Sequence, residues 1–235
     1  MASDETFRPF DPWRVPPVHE DSREQILDSY YFQVDKVKLH AARAGSFERT
    51  IVHTKRGETV GIFAIGGDGK IPFIEQYRIP THRWTLEIPA GHETTPNSDP
   101  MQTARERLRA EAGLTAHNLR QIIRFINTPS YSTHYTSIFL ATGLRDVSRE
   151  LKGVDMRRSS IRWLTLDEAY NMVLSGSILD AKTVIAVLRA KTRLSATDLD
   201  ILADMSNRPF DGEDFSGSAN ESDAQIRTAM EHASN

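Results

Sequence analysis

Residues 87–114 read EIPAGHETTPNSDPMQTARERLRAEAGL, and this segment carries the most informative structural signals of the chain. An apolar strand signal ends at a sharp Pro–Ala–Gly break over 89–91, and a polar loop follows it. Asp99 is a good helix N-cap, Pro100 suits the first helical position, and Gly113 suits the end of a helix. The stretch therefore predicts a strand, a sharp break, a loop and one helix, in that order.

Strand signals lie on both sides of this stretch. TVGIFAI (59–65) and KIPFIEQYR (70–78) flank the turn GGDG (66–69), and glycines supply the positive φ angles that a tight reversal needs. These two segments therefore predict a hairpin. Further strand signals lie at 32–40, 46–53, 83–91, 120–128, 136–144 and 159–166.

Two further helices are predicted beyond the last strand signal. Thr165 or Asp167 starts the first, which ends at Gly176, and Asp180 caps the second. Strands outnumber helices and several connections are local. We therefore expect an α/β (α+β) fold, with a mixed sheet covered by helices and not a doubly wound parallel sheet.

Composition excludes several classes of function. The chain has 235 residues, with 29 basic and 32 acidic side chains, a formal charge of −3 and no cysteine. The near-neutral balance gives no electrostatic case for nucleic-acid binding, and the missing cysteine excludes disulfides, thiolate metal sites and a cysteine nucleophile. No apolar run reaches the roughly 20 residues of a membrane span, and no secretory signal is present. We expect a cytoplasmic protein with no membrane or nucleic-acid partner.

The two ends of the chain differ from its centre. Residues 1–24 contain four prolines and no hydrophobic period, which predicts an irregular N-terminal arm. Residues 195–235 are polar, acidic and rich in glycine and serine, a composition that rarely offsets its ordering entropy. We therefore expect a disordered tail after a central folded region.

The 87–114 stretch resembles the Nudix box, whose pattern is G-x5-E-x7-R-E-U-x-E-E-x-G-U, where U is apolar. Segments similar to the ADP-ribose pyrophosphatase branch of that family are EQYR (75–78), LEIPAG (86–91) and FLATGL (139–144). The resemblance implies the Nudix α/β/α sandwich, a mixed β-sheet between helices, over residues 58–194. It also implies a small N-terminal β subdomain over 25–57 that exchanges across a homodimer.

The same stretch departs from the box at its catalytic glutamates. Aligned on Gly113, the family's R-E-U-x-E-E falls on residues 106–111, so Arg107 and Ala110 replace two glutamates and Glu111 alone survives. Counting from Gly91 instead moves Glu106 onto a box position but misaligns the closing glycine. Glu106 and Glu111 are also five positions apart, roughly 140° around a helix, so they do not share a face. One inserted loop residue explains the register and leaves Ser98 at the family's first glutamate position.

The loop before 136–144 shows the same change. TPSYSTHYTS (128–137) resembles the branch's segment that carries a water-orienting glutamate, and His134 occupies that position. Arg157 and Arg158 also stand where the branch is usually acidic. Two interpretations remain open. In the first, Arg107 and Arg109 lie on a solvated helix face and pair with Glu106 or Glu111. In the second, Arg107, His134 and Arg157 or Arg158 bind phosphate directly in place of the metal.

Further site residues follow from the resemblance alone. Arg78 resembles a family arginine that contacts substrate, and Glu87 resembles a residue that contacts substrate or a second metal. Ala90 would offer its backbone carbonyl to a metal. Pro129 lies sixteen residues after Gly113, a spacing that the branch associates with ADP-ribose. Four histidines show no metal-ligand spacing and are expected at the surface: His40, His53, His82 and His92.

Two classes of function follow. In the first, the protein is a nucleoside-diphosphate-sugar pyrophosphatase that makes AMP and ribose 5-phosphate from ADP-ribose, with Mg²⁺ or Mn²⁺ held by Glu111 and Ala90. Glu111 is then the catalytic residue, and Arg78, Glu87, Pro129, Arg107 and His134 contact the substrate. In the second, a dimeric Nudix scaffold binds a nucleotide or sugar phosphate without cleaving it and needs no metal cofactor.

Overall fold

A computed structural model describes residues 10–93, 99–150 and 159–195. The strands are β1 (His19–Asp28), β2 (Phe32–Ala41), β3 (Gly45–Thr54), β4 (Thr59–Ala64), β5 (Ile71–Arg78), β6 (Arg83–Glu87), β7 (Ala90–His92), β8 (Leu114–Ile126), β9 (Tyr135–Asp146) and β10 (Ser160–Leu164). The α-helices are α1 (Pro100–Arg107), α2 (Leu166–Leu174) and α3 (Ala181–Arg193). A 3₁₀ turn (Ile79–Thr81) precedes β6, and a π-helical turn (Leu108–Ala112) continues α1.

The strands of the described residues form three sheets. One contains β1, β2 and β3, and a second has the order β10-β5-β6, both with antiparallel pairing. The third has the order β7-β4-β9-β8 and is mixed, because β4 and β9 run parallel while the other neighbours are antiparallel. The prediction of a mixed sheet is confirmed.

Helices cover both faces of the mixed sheet. Val60 of β4 belongs to a core that includes Leu108, at the end of α1. Phe63 points to the opposite face and packs in a second core with Ala169 of α2 and Val187 of α3. All five side chains are completely buried, and successive strand residues face opposite sides of a sheet. The result is the α/β/α sandwich that the sequence predicts.

The first helix begins and ends where the sequence indicates. The Asp99 side chain accepts from the Met101 amide at 2.9 Å, and Pro100 occupies the first turn. The helix closes through its π-helical turn at Gly113, which has φ 67° and therefore adopts the left-handed conformation that suits glycine. This segment places Glu111 and Arg107 beside the break after β6.

The other two helices also carry the predicted caps. Thr165, and not Asp167, caps α2 through a capping box with Glu168. Asp180 caps α3 by accepting from the Thr183 amide. No helix among the described residues has the length and apolarity that crossing a membrane requires.

The predicted hairpin of residues 59–65 and 70–78 is wrong. The turn itself forms, since the Gly66 amide donates to the Lys70 carbonyl at 2.8 Å. However, β4 pairs with β7 and β9, whereas β5 pairs with β6 and β10. Both strands are largely buried on both faces, and each forms its hydrogen bonds with strands from other parts of the chain. The residues of the turn do not indicate which strands these partners are.

The predicted irregular arm over 1–24 is wrong at its carboxy-terminal end. Residues from His19 onward form β1, which pairs antiparallel with β2. Every β1 side chain is exposed, so the strand lacks the apolar alternation that identifies a half-buried strand. The strands predicted at 32–40 and 46–53 are confirmed as β2 and β3. Residues 1–9 and 196–235, which include most of the predicted tail, lie outside the described residues.

Candidate functional site

An arginine–glutamate pair joins β5 to β6 at the rim of the site. Arg78 ends β5 and Glu87 ends β6. The guanidinium donates to both carboxylate oxygens, from Nε to Oε1 at 2.7 Å and from a terminal nitrogen to Oε2 at 2.6 Å. This two-point contact fixes the orientation of the guanidinium. The structure therefore brings two of the predicted site residues together.

Lys182, on the first turn of α3, joins the same carboxylate. Its Nζ lies 2.5 Å from Glu87 Oε2 and 2.9 Å from Asp180 Oδ1. The Thr85 hydroxyl donates to Glu87 Oε1 at 2.7 Å, so each carboxylate oxygen of Glu87 has two protein donors. Lys182 could not be predicted from the sequence, because Asp180 is a sufficient helix cap by itself and no local signal links α3 to β6.

These contacts keep Glu87 ionised although it is only 2% exposed. Burial alone would raise the pKa of this carboxyl, but the hydrogen bond from Arg78 and the charges of Lys182 and Arg78 outweigh it and lower the pKa to about 2. Glu87 therefore acts as a permanent negative anchor for two cations. The structure assigns its oxygens to protein donors, and its predicted contact with substrate or metal stays a prediction.

Glu111, which aligns with the last glutamate of the box pattern, lies on the π-helical turn. It is 9% exposed, and its Oε2 accepts from the Ala90 amide at 2.9 Å. Burial raises the pKa of this carboxyl to about 7, against the opposing effects of the Ala90 amide and the charge of Arg107. Glu106 is exposed and hydrogen-bonded to Gln102, so the prediction that the two glutamates do not share a face is confirmed.

Arg107 reaches the site across the glycine of the break. Its terminal nitrogen donates to the His92 carbonyl at 3.0 Å, and a Cβ at Gly91 would lie 2.3 Å from its Nε. Glycine at this position leaves the space that the Arg107 guanidinium occupies. Arg109 points away, is exposed and lies 3.6 Å from Glu150. The expected pairing of the two arginines with Glu106 or Glu111 is therefore wrong, because each has a different partner.

Two histidines stack beside Arg107. The rings of His92 and His134 lie 5.5 Å apart at an interplanar angle of 29°. Thr59 Oγ1 lies 2.9 Å from His134 Nε2 and 3.4 Å from His92 Nδ1. Burial lowers the pKa of His134, and burial together with His134 and Arg107 lowers the pKa of His92 to about 4. His92 was expected at the surface, but it is half-buried within the site.

Pro129 lies in an exposed turn between β8 and β9. That turn is tied to β3, because the Val52 amide donates to the Tyr131 carbonyl at 2.8 Å and the Thr133 amide donates to the Val52 carbonyl at 3.1 Å. The predicted role of Pro129 at the ribose end of a ligand stays a prediction. Ser98, Arg157 and Arg158 lie outside the described residues.

The described residues around Glu111 do not fit a divalent metal ion. Mg²⁺ prefers several carboxylate or carbonyl oxygens. Among residues 10–93, 99–150 and 159–195, no group of three or more His, Asp or Glu side chains could hold a metal ion. The loop 94–98 reads TTPNS and contains no carboxylate. The charges that act on the Glu111 carboxyl are the cations of Arg107, Lys182 and Arg78. This arrangement suits an anion.

Comparisons with known proteins place the chain in a family. The NUDIX domain model matches residues 55–186. The chain is 31% identical over 174 residues to the ADP-ribose pyrophosphatase of Bacillus subtilis (strain 168), a match that covers 73% of this chain and 90% of that protein. It is 33% identical over 167 residues to the ADP-ribose pyrophosphatase of Mycobacterium tuberculosis (strain ATCC 25618 / H37Rv), covering 71% and 80%.

A third relative carries a different name. The chain is 33% identical over 156 residues to the methanol dehydrogenase activator of Bacillus methanolicus, covering 66% of this chain and 81% of that protein. A crystal structure of an ADP compounds hydrolase matches with a TM-score of 0.65 at 20% identity, covering 76% of this chain and 94% of that one, which shows the fold. The chain therefore belongs to the Nudix family and lies in its ADP-ribose pyrophosphatase-like branch.

Proposed function

We propose that this protein binds a nucleoside diphosphate or nucleotide sugar in its Nudix cleft without a divalent metal and does not hydrolyse it. The observation that supports this proposal is the position of Arg107. It stands where the box has a glutamate, its guanidinium lies over Gly91, and its charge acts on the buried carboxyl of Glu111. A cation therefore occupies the part of the site where the family places acidic metal ligands.

The hydrogen-bond donors of the site suit a diphosphate. Guanidinium carries five N–H donors in a planar fork that matches phosphate oxygens. Among the described residues, Arg78 uses two donors on Glu87, and Arg107 uses one on the His92 carbonyl. The remaining N–H groups are available to phosphoryl oxygens. Because Glu87 holds Arg78 in a fixed orientation, little side-chain entropy is lost when a ligand binds.

Hydrolysis lacks its usual apparatus in this site. Nudix hydrolases generally use divalent metals such as Mg²⁺, which neutralise the phosphates and orient the attacking water. Here Glu111 is the one box glutamate left on the helix, its pKa is raised to about 7, and Glu87 is saturated by protein donors. His134 replaces the glutamate of the loop. A binding module with a regulatory role also agrees with the name of the Bacillus methanolicus relative.

A hydrolase remains the second candidate, because two relatives are named ADP-ribose pyrophosphatases and Glu111 is retained. In that case Mg²⁺ or Mn²⁺ would be required, with Glu111 and the Ala90 carbonyl as its ligands. The two candidates differ in one measurable respect. The binding module takes its ligand equally well in EDTA, whereas the hydrolase needs the metal and releases AMP.

Isothermal titration calorimetry with ADP-ribose in EDTA tests the proposal. We expect binding by the wild type and a loss of at least thirtyfold in affinity for Arg107→Glu, since a charge-assisted contact becomes a repulsion. Arg109→Glu makes the same charge change two residues away, on an exposed side chain, and should bind within threefold of the wild type. ADP-ribose binding that is absent in EDTA and restored by Mg²⁺ would refute metal-free binding.

We also propose that the chain forms a homodimer through its first sheet. Apolar side chains are exposed at the end of β1, in the loop that joins it to β2 and at the start of β2, namely Ile26, Leu27, Tyr30, Tyr31 and Phe32. A cluster of exposed apolar residues of this kind favours a protein–protein contact. Light scattering after gel filtration should give twice the chain mass of 26.5 kDa. A mass of one chain would refute the dimer.

A further inference from the structure

Thr59 is the centre of a row of polar side chains that crosses the mixed sheet. It is the first residue of β4, and its register partners are His92 on β7 and Thr136 on β9. Its hydroxyl lies 2.9 Å from His134 Nε2 and 3.4 Å from His92 Nδ1. One hydroxyl therefore links the two stacked imidazole rings.

Asn127, just after β8, holds the far side of His134. Its Nδ2 lies 2.9 Å from His134 Nδ1, and its Oδ1 accepts from the Thr136 hydroxyl at 2.9 Å. Its backbone amide also donates to the His134 carbonyl at 3.0 Å. Thr136 is 2% exposed and needs an acceptor for its hydroxyl. The amide group of Asn127 is thus oriented, with its oxygen toward Thr136 and its NH₂ toward His134.

The orientation of that amide determines where each proton lies. A neutral imidazole has one N–H donor and one acceptor nitrogen. Because His134 Nδ1 accepts from Asn127, its proton is on Nε2 and is donated to Thr59 Oγ1. The Thr59 hydroxyl then donates to His92 Nδ1, which leaves the proton of His92 on Nε2. Burial favours the neutral form of both rings.

We propose that this relay of Thr136, Asn127, His134 and Thr59 holds His92 as an Nε2–H donor for a phosphoryl oxygen of the bound ligand. This inference rests on the proposed function and adds a neutral donor to its cations. Among the described residues, no hydrogen bond engages His92 Nε2. The His92 carbonyl already binds Arg107, so the ring and the guanidinium belong to one cluster.

The role of His92 differs from that of the arginines around it. A guanidinium attracts any anion, whereas a fixed N–H requires an oxygen acceptor at one position. His92 is therefore the ligand-binding residue of the relay. Thr59, Asn127 and His134 are positioning residues, because they act on the ligand only through the tautomer of His92.

The tautomers can be measured in the ligand-free protein by two-bond ¹H–¹⁵N NMR spectroscopy of the imidazole rings. We expect the proton on Nε2 in both His92 and His134. Thr59→Val keeps the β-branched shape but removes the hydroxyl, so His92 should become a mixture of tautomers. Thr115→Val, at an exposed position of β8, should change neither ring. A proton on Nδ1 of either wild-type histidine, or an unaltered His92 in Thr59→Val, would overturn the relay.

Ligand binding is tested separately with ADP-ribose and inorganic pyrophosphate in EDTA. The amide nitrogen of glutamine reaches the position of histidine Nε2, so His92→Gln should bind within threefold of the wild type. His92→Ala should bind about tenfold or more weakly, since a hydrogen bond to a charged group is lost. Equal affinities of the two variants, with unchanged melting temperatures, would refute the donor role.

Failure of the proposed function and failure of the role assigned to His92 give different results. If the wild type binds neither ADP-ribose nor pyrophosphate, the proposed function fails and the ligand assigned to His92 fails with it. The tautomers in the free protein still confirm or refute the relay on their own. If the wild type binds and His92→Ala binds equally well, the proposed function stands and the role of His92 is refuted.

Discussion

Replacing Glu87 with glutamine tests whether this carboxylate is a structural anchor. Glu87 is 2% exposed and accepts from Arg78, Thr85 and Lys182. Lys182 is itself only 11% exposed at its side chain. Glutamine preserves the shape but removes the negative charge, so Lys182 and Arg78 lose a buried counter-charge. Breaking one partner of such a buried pair is strongly destabilising.

The magnitude follows from the pKa of Glu87. A carboxyl whose pKa falls from 4.5 to about 2 on folding contributes about 3 kcal/mol to the free energy of unfolding at pH 7. Because the folded pKa is the lower one, this contribution is complete above about pH 5 and is lost as the pH falls toward 2. The difference in the free energy of unfolding between the wild type and Glu87→Gln should therefore decrease to about 1 kcal/mol at pH 3.

Urea unfolding at pH 7 and pH 3, followed by circular dichroism, measures both values. Glu75→Gln is the matched control, because Glu75 pairs with Arg162 at 2.6 Å with both side chains partly exposed. Such a pair contributes less than about 1 kcal/mol. A Glu87→Gln deficit that equals the Glu75→Gln deficit, or that does not change with pH, would refute the anchoring role of Glu87.

Three further substitutions test the box segment and α2, each by urea unfolding. Between pH 5 and pH 8 the free energy of unfolding of Glu111→Gln should rise by about 2.5 kcal/mol relative to that of the wild type, because a pKa raised from 4.5 to about 7 on folding costs the wild type stability as the pH rises through 7; a constant difference would contradict this. Gly113→Ala should lower the free energy of unfolding by about 1–2 kcal/mol, because φ is 67° and the new Cβ would lie 3.0 Å from the Val147 carbonyl oxygen. An unchanged urea midpoint would show that alanine causes no strain there. Thr165→Ala removes the capping box of α2 and should lower the free energy of unfolding by about 1 kcal/mol. Ser175→Ala, at the other end of α2, should lower it by less.

Local signals predicted most of the fold. Asp99, Pro100 and Gly113 mark the ends of the box helix, and each acts through its own backbone neighbours. The partners of β4 and β5 could not be predicted from the turn between them, because β4 pairs in parallel with β9, far along the chain. The exposed strand β1 escaped prediction because no face of it is buried.

Some residues of the site could likewise be predicted from local sequence, and others could not. Arg78 and Glu111 could be predicted as site residues because they lie within motifs of contiguous sequence, and in the structure the charge of Arg78 acts on the Glu111 carboxyl. Lys182 and His92 were missed. Lys182 enters from α3, and His92 acquires its environment from Thr59 on a neighbouring strand. Tertiary packing alone brings these side chains together, and neither has a sequence spacing that would reveal it.

In the proposed function, cations hold the ligand where the family holds a divalent metal. A crystal grown with ADP-ribose and Mn²⁺, measured near the manganese absorption edge, distinguishes the two. We expect an intact diphosphate contacted by Arg107 and Arg78, with no anomalous peak beside Glu111. An anomalous peak coordinated by Glu111 and the Ala90 carbonyl, with AMP in place of ADP-ribose, would contradict it.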